Sequence, residues 1–487
     1  MLIILSLLLP LIAGLLLPLL PLKNARQRAI YIECTVICTS VLVWIAMLGR
    51  AESTVNLFSI GPGLTLSLHL DGPACIFAGL ISILWPLASL YAFEYMEHEE
   101  RPVSFFAFYT MTYGVTLAVA TAANLFTLYV FYECLTLITL PLVIHKKDAK
   151  SIRAGRKYLY FSISGAAMAF IALVFTLHYG NGADFTLGGM LDMQKVNGHE
   201  SILLFVFLLA FIGFGTKAAV FPMFAWLPAA SVAPTPVTAL LHAVAVVNTG
   251  AYAVLRVIYY VFGTAFLSGT TVHVIALLLA CFTVLFGSSM AVREKHFKRR
   301  LAWSTVSNLS YMLMGAALMT PGGMVGSLSH LVCHGIMKII LFYCAGAILV
   351  RTRHEYVQDL RGLSKEMPFT CGTALLSAVA MVGIPPLCGF VSKWNLLTAA
   401  AETLSWTGTV GVITILISAV LTAVYLFSAI LPMYFSPANR PVSAKPNDPS
   451  WRMKLPLLLL ALMVVALGFF SEPLITFLRQ IASGATF

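Results

Sequence analysis

KAAVFPMFAWLPAASVAPTPVTALLHA occupies residues 217–243, in the middle of a long apolar run. It opens on Lys217 and passes Pro222, Pro228, Pro234 and Pro236 before reaching His242. Proline removes a helix hydrogen bond and clashes with the preceding turn, so the stretch predicts a kinked or interrupted helix. The arrangement returns at 383–397, GIPPLCGFVSKWNLL, where Gly383, Pro385, Pro386 and Gly389 precede Lys393. Interrupted helices at membrane depth are tolerated only where they line protein or water, and paired ones suggest two related halves.

The surroundings demand a membrane. Of 487 residues, 60 % are hydrophobic and only 10 % charged, against about 25 % charged in a soluble domain. Apolar runs of about 20 residues, the length that spans a bilayer's hydrocarbon core, recur along the whole chain. They fall near 2–21, 30–48, 74–93, 103–121, 123–143, 158–178, 203–225, 236–262, 271–291, 301–319, 326–350, 369–397, 409–433 and 455–478. The expectation is an all-α membrane protein of about fourteen transmembrane helices in a single polytopic domain, 1–487. Residues 1–23 exceed a signal peptide's apolar region and lack a basic start, so they read as a retained first helix.

Charge gives an independent test, because cytoplasmic loops collect lysine and arginine. One set of alternate loops holds Lys23, Arg26 and Arg28, then Arg101, then Lys146, Lys147, Lys150, Arg153, Arg156 and Lys157. It continues with Arg293, Lys295, Lys298, Arg299 and Arg300, with Arg351, Arg353, Arg361 and Lys365, and with Arg440, Lys445, Arg452 and Lys454. The opposite loops hold only Arg50, Lys195 and Arg479. Adding or dropping one span in mid-chain would destroy this asymmetry. It directs both termini away from the cytoplasm and accounts for the net charge of +11 without a nucleic-acid partner.

Nine cysteines, Cys34, Cys38, Cys75, Cys134, Cys281, Cys333, Cys344, Cys371 and Cys388, include no C-x-x-C pair, and nearly all lie in apolar runs. Zinc or iron–sulfur ligation needs clustered thiolates at set spacings, so they read as small buried apolar residues and the chain as lacking a cofactor.

Four cations remain inside the spans: Lys217, Arg256, Lys338 and Lys393. Glu133, in LYVFYECLTL, is the acid that joins them. A charge at the centre of a lipid-exposed helix costs about 2.5–3.5 kcal/mol on insertion scales, so these groups should face protein or internal water. Each has a plainer reading. Arg256 could snorkel from a helix end or bridge two helices, Glu133–Lys217 could be structural glue, and Lys393 could sit near the interface. His330, His334 and Lys338, in SLSHLVCHGIMKII (327–340), are four residues apart and share one helix face. The two histidines could be interhelical donors. Together, three lysines, one carboxylate and His242, His330 and His334 are many titratable groups for packing alone. Histidine titrates near neutrality and passes protons through either ring nitrogen. Hard cations want several oxygen ligands, so protons suit this set better than sodium.

These residues resemble the antiporter-like membrane subunits shared by respiratory complex I, energy-converting membrane-bound hydrogenases of the formate hydrogenlyase and hydrogenase-4 type, and Mrp cation/proton antiporters. The likeness runs in order from about Phe105 to Leu397, through LYVFYECLTL, the 217–243 stretch, KRRLAWSTVSNLSYM, SHLVCHGIMKIILFYCAGAI, QDLRGL and GIPPLCGFVSKWNLL. It implies fourteen helices, three at 1–100, inverted five-helix repeats at 103–262 and 271–433 with one broken helix each, and a loop and last helix at 434–487. It also implies that Glu133 pairs with Lys217, that Lys338 with His330 and His334 is the central relay, and that Lys393 belongs to the second broken helix. His242 matches a histidine of some members, whereas Asn248 stands where many carry lysine, so a path here would use His242 and water.

The resulting expectation is a proton-translocating subunit of a redox-driven complex. Protons would start near Lys217, pass His242, His330 and His334 to Lys338, and leave by Lys393. Partners would be other membrane subunits, including antiporter-like paralogues, a peripheral arm holding iron–sulfur clusters, and lipid, in a prokaryotic cytoplasmic membrane. The alternatives are an Mrp-type sodium/proton antiporter subunit and a structural subunit whose polar axis is silent.

Overall fold

The computed structural model describes residues 1–22, 24–49, 54–61, 64–437 and 447–485; Lys23, Arg50, Arg440 and Lys445 of the charge pattern lie outside them. Helices α1 (Leu2–Leu16), α2 (Ala25–Leu48) and α3 (Gly72–Tyr95) come first, with strands β1 (Val55–Gly61) and β2 (Leu64–Leu68) between the last two. Next are α4 (Pro102–Ala120), α5 (Leu125–Val143), α6 (Ala149–Tyr179), α7 (Glu200–Gly215) and the short α8 (Trp226–Ala230). They are followed by α9 (Thr235–Ala243) and α10 (Val246–Arg256), which widens into a π-helix over Val257–Phe262. Then come α11 (Thr271–Arg293), α12 (Phe297–Ala317), α13 (Pro321–Thr352), α14 (Pro368–Val382), α15 (Cys388–Glu402), α16 (Trp406–Phe435), α17 (Trp451–Phe469) and the amphipathic α18 (Glu472–Ala482).

Among the described residues, ten helical stretches are long and apolar enough to cross a membrane, and α1, α7 and α14 are apolar but shorter. The chain is an integral, multi-pass helical membrane protein. Two stretches form its centre: the apolar windows of Thr235–Phe262 and Pro321–Thr352 are wholly buried in protein, whereas those of α2, α6 and α16 are only 39 % buried. The rim therefore presents apolar side chains such as Leu137, Tyr160, Phe205 and Val420 outward, while the polar groups of the centre escape lipid.

Local chemistry sets many of the boundaries. Asp71, Asn124, Asp148, Thr320 and Ser405 each accept a backbone N–H at the start of α3, α5, α6, α13 and α16, satisfying donors that a helix start leaves orphaned. The hairpin, which the apolar-run count did not foresee, pairs antiparallel and is pinned by Asn124, whose Nδ2 donates to Ser67 Oγ at 2.7 Å. At the opposite end, Lys150, Lys157, Glu294, Lys298 and Tyr356 line one cavity of about 680 Å³ together with Ala233. The basic loops after α5, α11 and α13 thus meet at one end of the bundle.

Three departures from the expected spans matter. The span at 203–225 stops at Gly215, and that at 369–397 opens between Val382 and Cys388, as the prolines require. The span at 236–262 is also interrupted, at Val244–Ala245, where no proline stands. The cysteines are less uniform than expected: Cys34 and Cys38 are exposed on the outer face of α2, Cys75 and Cys134 are half-buried, and the other five are buried.

Candidate functional site

At the first break the chain leaves α7, passes Ala219 in the left-handed region (φ 57°) and turns into α8. Trp226 Nε1 donates to the carbonyl of Thr216 at 2.8 Å, and Phe221 N donates to Thr283 Oγ1 of α11 at 3.1 Å. These bonds occupy backbone groups that the lost helix turn frees. Lys217 is completely buried at this corner. Its Nζ donates to the carbonyl of Tyr132 in α5 and lies 3.6 Å from the Tyr132 ring centroid. Glu133 is the next residue, half-buried, and its Oε1 has no partner. Among the described residues Lys217 and Glu133 form no ion pair within 4.0 Å. The amine rests on the carbonyl and ring of Tyr132, beside the acid.

The second break is built differently. Gly383 caps α14 in the left-handed conformation (φ 97°), which costs glycine little because it has no Cβ. Lys393, one and a half turns into α15, reaches back so that its Nζ donates to the carbonyls of Met381 (2.8 Å) and Val382 (3.1 Å). These are last-turn carbonyls of α14, where the helix dipole favours a cation. Lys393 is 7 % exposed, so it is held by the break and not solvated at an interface.

Between the breaks runs α13. Lys338 is fully buried; its Nζ donates to Ser304 Oγ and, at 3.4 Å, to the carbonyl of Leu301 in α12. The His330 and His334 rings stack at 6.0 Å. His330 Nδ1 is 3.0 Å from Ser392 Oγ, whose neighbour is Lys393. His330 therefore lies on the Lys393 side of the pair. Both ring nitrogens of His334 and of His242, and Nε2 of His330, lack a protein partner. The side chains therefore do not touch end to end, and a proton needs bridging water or side-chain rotation between them.

The unpredicted interruption at Val244–Ala245 packs against both the first break and α13. Asn248 Nδ2 donates to the freed carbonyl of Ala243 at 2.8 Å, leaving Oδ1 without a partner. A Cβ on Gly335 would stand 3.1 Å from that carbonyl, and one on Gly250 would stand 2.9 Å from Lys217 Cβ. Glycine at these two points lets α13 approach the end of α9 and the Lys217 corner approach α10. Asn248 thus fills its place with a backbone bond.

Arg256 is a bridge, not a snorkelling cation. Its guanidinium grips Asp71 through two bonds of 2.5 Å and meets Tyr252 Oη at 3.0 and 2.7 Å. Asp71 was missed because it sits before its span, although an aspartate ahead of Gly72–Pro73 is a readable helix cap. A second carboxylate was also missed. Glu33, inside the expected span 30–48, accepts from Ser89 Oγ at 2.5 Å, so Glu133 is not the only acid at depth.

Comparison with known proteins follows the same residues. The family model described as NADH:quinone oxidoreductase/Mrp antiporter, TM (Proton_antipo_M) matches residues 122–422. NADH-quinone oxidoreductase subunit N of Desulforudis audaxviator (strain MP104C) is 33 % identical over 427 residues, 83 % of this chain and 82 % of that one. Hydrogenase-4 component B of Escherichia coli (strain K12) is 31 % identical over 343 residues, 68 % of this chain but 50 % of the relative. Among solved structures, a chain of the Mrp complex from Dietzia sp. DQ12-45-1b has a TM-score of 0.87 at 23 % identity, covering 100 % of this chain and 52 % of its own. At that identity the likeness speaks for the fold.

Proposed function

Because the chain belongs to the NADH:quinone oxidoreductase/Mrp antiporter transmembrane family, we propose that it is the proton-translocating subunit of a redox-driven membrane complex of membrane-bound-hydrogenase or complex I-like kind. Fourteen passes, with inverted repeats at 103–262 and 271–433, suit the two breaks and the charge alternation. The setting is a prokaryotic cytoplasmic membrane with both termini on the outer side. Iron–sulfur clusters and a peripheral arm belong to partner subunits, which include antiporter-like paralogues; lipid covers the rest of the rim, and no nucleic acid is involved.

The observation that carries this reading is that Lys217, Lys338 and Lys393 are buried without a carboxylate in ion-pair range among the described residues. A buried pair fixed for stability would satisfy its charge completely. These amines rest instead on carbonyls, a hydroxyl and aromatic faces, which hold either protonation state. In the proposed path protons load Lys217 beside Glu133, cross the Asn248 and His242 region through water to Lys338, then pass His334 and His330 to Lys393. Glu133 acts as a variable partner: at about 4 Å such a pair is worth about 4 kcal/mol at an effective dielectric of 20, so a small movement changes whether Lys217 keeps its proton.

The second reading, a subunit of an Mrp-type sodium/proton antiporter, draws equal support from the family, which spans both. One preparation separates them. The tagged chain is purified with its native partners, assayed for iron, and reconstituted into proteoliposomes. Iron–sulfur signals with redox-driven proton uptake favour the first reading. Sodium-dependent proton flux abolished by Glu133→Gln favours the second. Proton movement that survives Lys338→Ala refutes the axis in either.

A further inference from the structure

The cavity of about 680 Å³ at the basic end of the bundle carries chemistry that the proton path does not use. Lys150, Arg153 and Lys157 line it from α6, at spacings of three and four that put them on one helix face. All three are exposed, and none forms an ion pair among the described residues. The acids around the cavity are already engaged. Asp148 Oδ1 accepts the backbone N–H of Ser151 at 2.7 Å, Glu294 is 2.9 Å from Arg299, and Glu355 is 3.4 Å from His296. Lys298 is buried and its Nζ donates to the carbonyl of Ala233 at 2.5 Å. Ser231, also buried and also lining the cavity, has an Oγ without a partner among the described residues.

An aromatic ladder leaves this cavity for the rim. Phe224 and Trp303 stand on the cavity wall with ring centroids 5.6 Å apart. Phe286 of α11 lies 4.8 Å from the first and 6.0 Å from the second. Phe282, one turn further along α11, is 5.9 Å from Phe286 and 50 % exposed. From Glu294, at the cavity and the end of α11, Phe282 is twelve residues back. That is about 18 Å along a helix axis, against about 15 Å for half of a bilayer's hydrocarbon core. The ladder thus follows the depth of one leaflet. Topology alone accounts for lysines in the basic loops. It does not ask for a buried lysine and an unpartnered hydroxyl beside a cavity, nor for rings that begin there and end on the rim.

We propose that the cavity is a binding site for an anionic phospholipid, its phosphate held by Lys150, Arg153, Lys157 and Lys298 and one acyl chain laid along Trp303, Phe286 and Phe282. Basic pockets between membrane helices suit such headgroups, and the volume lies within the range of small-ligand sites. The phosphate oxygens accept from the ammonium groups and from Ser231 Oγ, while the Arg153 guanidinium offers them a paired fork. A free phosphate would satisfy the same donors but leave the ladder bare, so the occupant is a lipid. A choline headgroup brings its own cation among four others and is disfavoured, so the site selects by net headgroup charge. Ser231 and Ala233 belong to the segment joining α8 to α9, and the bound headgroup therefore braces the first break from its basic end. None of this requires that the lysine axis conduct protons.

The test takes the chain with its native partners and a phosphatidylglycerol carrying a diazirine in its acyl chain, and maps the crosslinked peptides by mass spectrometry. Label should concentrate on residues 282–303. Unlabelled phosphatidylglycerol should compete it away, and phosphatidylcholine and inorganic phosphate should not. Lys150→Gln/Arg153→Gln/Lys157→Gln, all at exposed positions, should cut this label about tenfold, with label on the outer face of α2 unchanged. Equal label from a phosphatidylcholine probe, or label undiminished in the triple variant, overturns the proposal and leaves general lipid contact. Competition by inorganic phosphate overturns it in favour of a free anion. No label at 282–303 from either lipid probe overturns it in favour of a partner subunit covering that face. Should the triple variant not assemble, Lys157→Gln alone carries the comparison, with a loss of about fivefold expected.

Discussion

The two broken helices hold their lysines by opposite means. Lys217 sits on the first half of its break and leans on another helix, α5, at the carbonyl beside Glu133. Lys393 sits on the second half of its break and folds back onto the last carbonyls of the first half. The first lysine therefore reports the position of a neighbour, and a half-buried acid near the rim is free to modulate it. The second reports only the geometry of its own helix. In the path proposed above, an input needs sensitivity to surroundings and an outlet needs constancy, and the two breaks differ along that line.

The largest expected effect tests whether the first corner depends on its supports. Asp71→Ala strands the Arg256 guanidinium inside the protein, and breaking a buried pair this way costs about 3–5 kcal/mol. Thermal unfolding of the purified complex should register it, with the chemistry of α14–α15 unaffected. If stability holds, Arg256 is not the anchor described here. Next, Lys217→Met and Lys393→Met should each cut proton flux more than about tenfold, equivalent to about 1.4 kcal/mol. Only the Lys217 site should share its effect with Glu133→Gln in a double-mutant cycle; equal coupling of Glu133 to both lysines would erase the distinction drawn above. Gly250→Ala, which pushes a methyl against Lys217, should cost about 1–3 kcal/mol by overpacking. The smallest effect belongs to Ser392→Ala, which removes one hydrogen bond to His330, worth about 0.5–1.5 kcal/mol, and should slow flux modestly with Lys217 chemistry unchanged.

What could be read in advance followed from residues whose physics is local. Pro222, Pro385 and Pro386 forbid regular helix, so both breaks were legible, and the four-residue spacing of His330, His334 and Lys338 placed them on one face. The interruption at Val244–Ala245 was not legible, because no proline marks it and the groups packed near it, Gly335 against Ala243 and Lys217 against Gly250, are far apart in sequence. The same holds for Lys217. Spacing can bring a lysine and an acid into one neighbourhood, but not decide whether the amine takes the carboxylate or the carbonyl next to it. Glu33 was visible as a lone acid in an apolar run and was passed over.

Helix α12 has a further consequence for how the protein is made. It begins Phe-Lys-Arg-Arg and carries six hydroxyl-bearing or amide side chains along its length, and it is absent from the ten stretches apolar enough to cross a bilayer alone. A nascent chain is sorted helix by helix at the insertion machinery, where each segment's own apolarity decides whether it leaves for lipid. α11 before it and α13 after it pass that test, and both pack against it in the finished fold. α12 therefore depends on its neighbours to enter the membrane, so polar substitutions on the outer faces of α11 and α13 should lower the yield of inserted chain, measured as membrane-integrated protein.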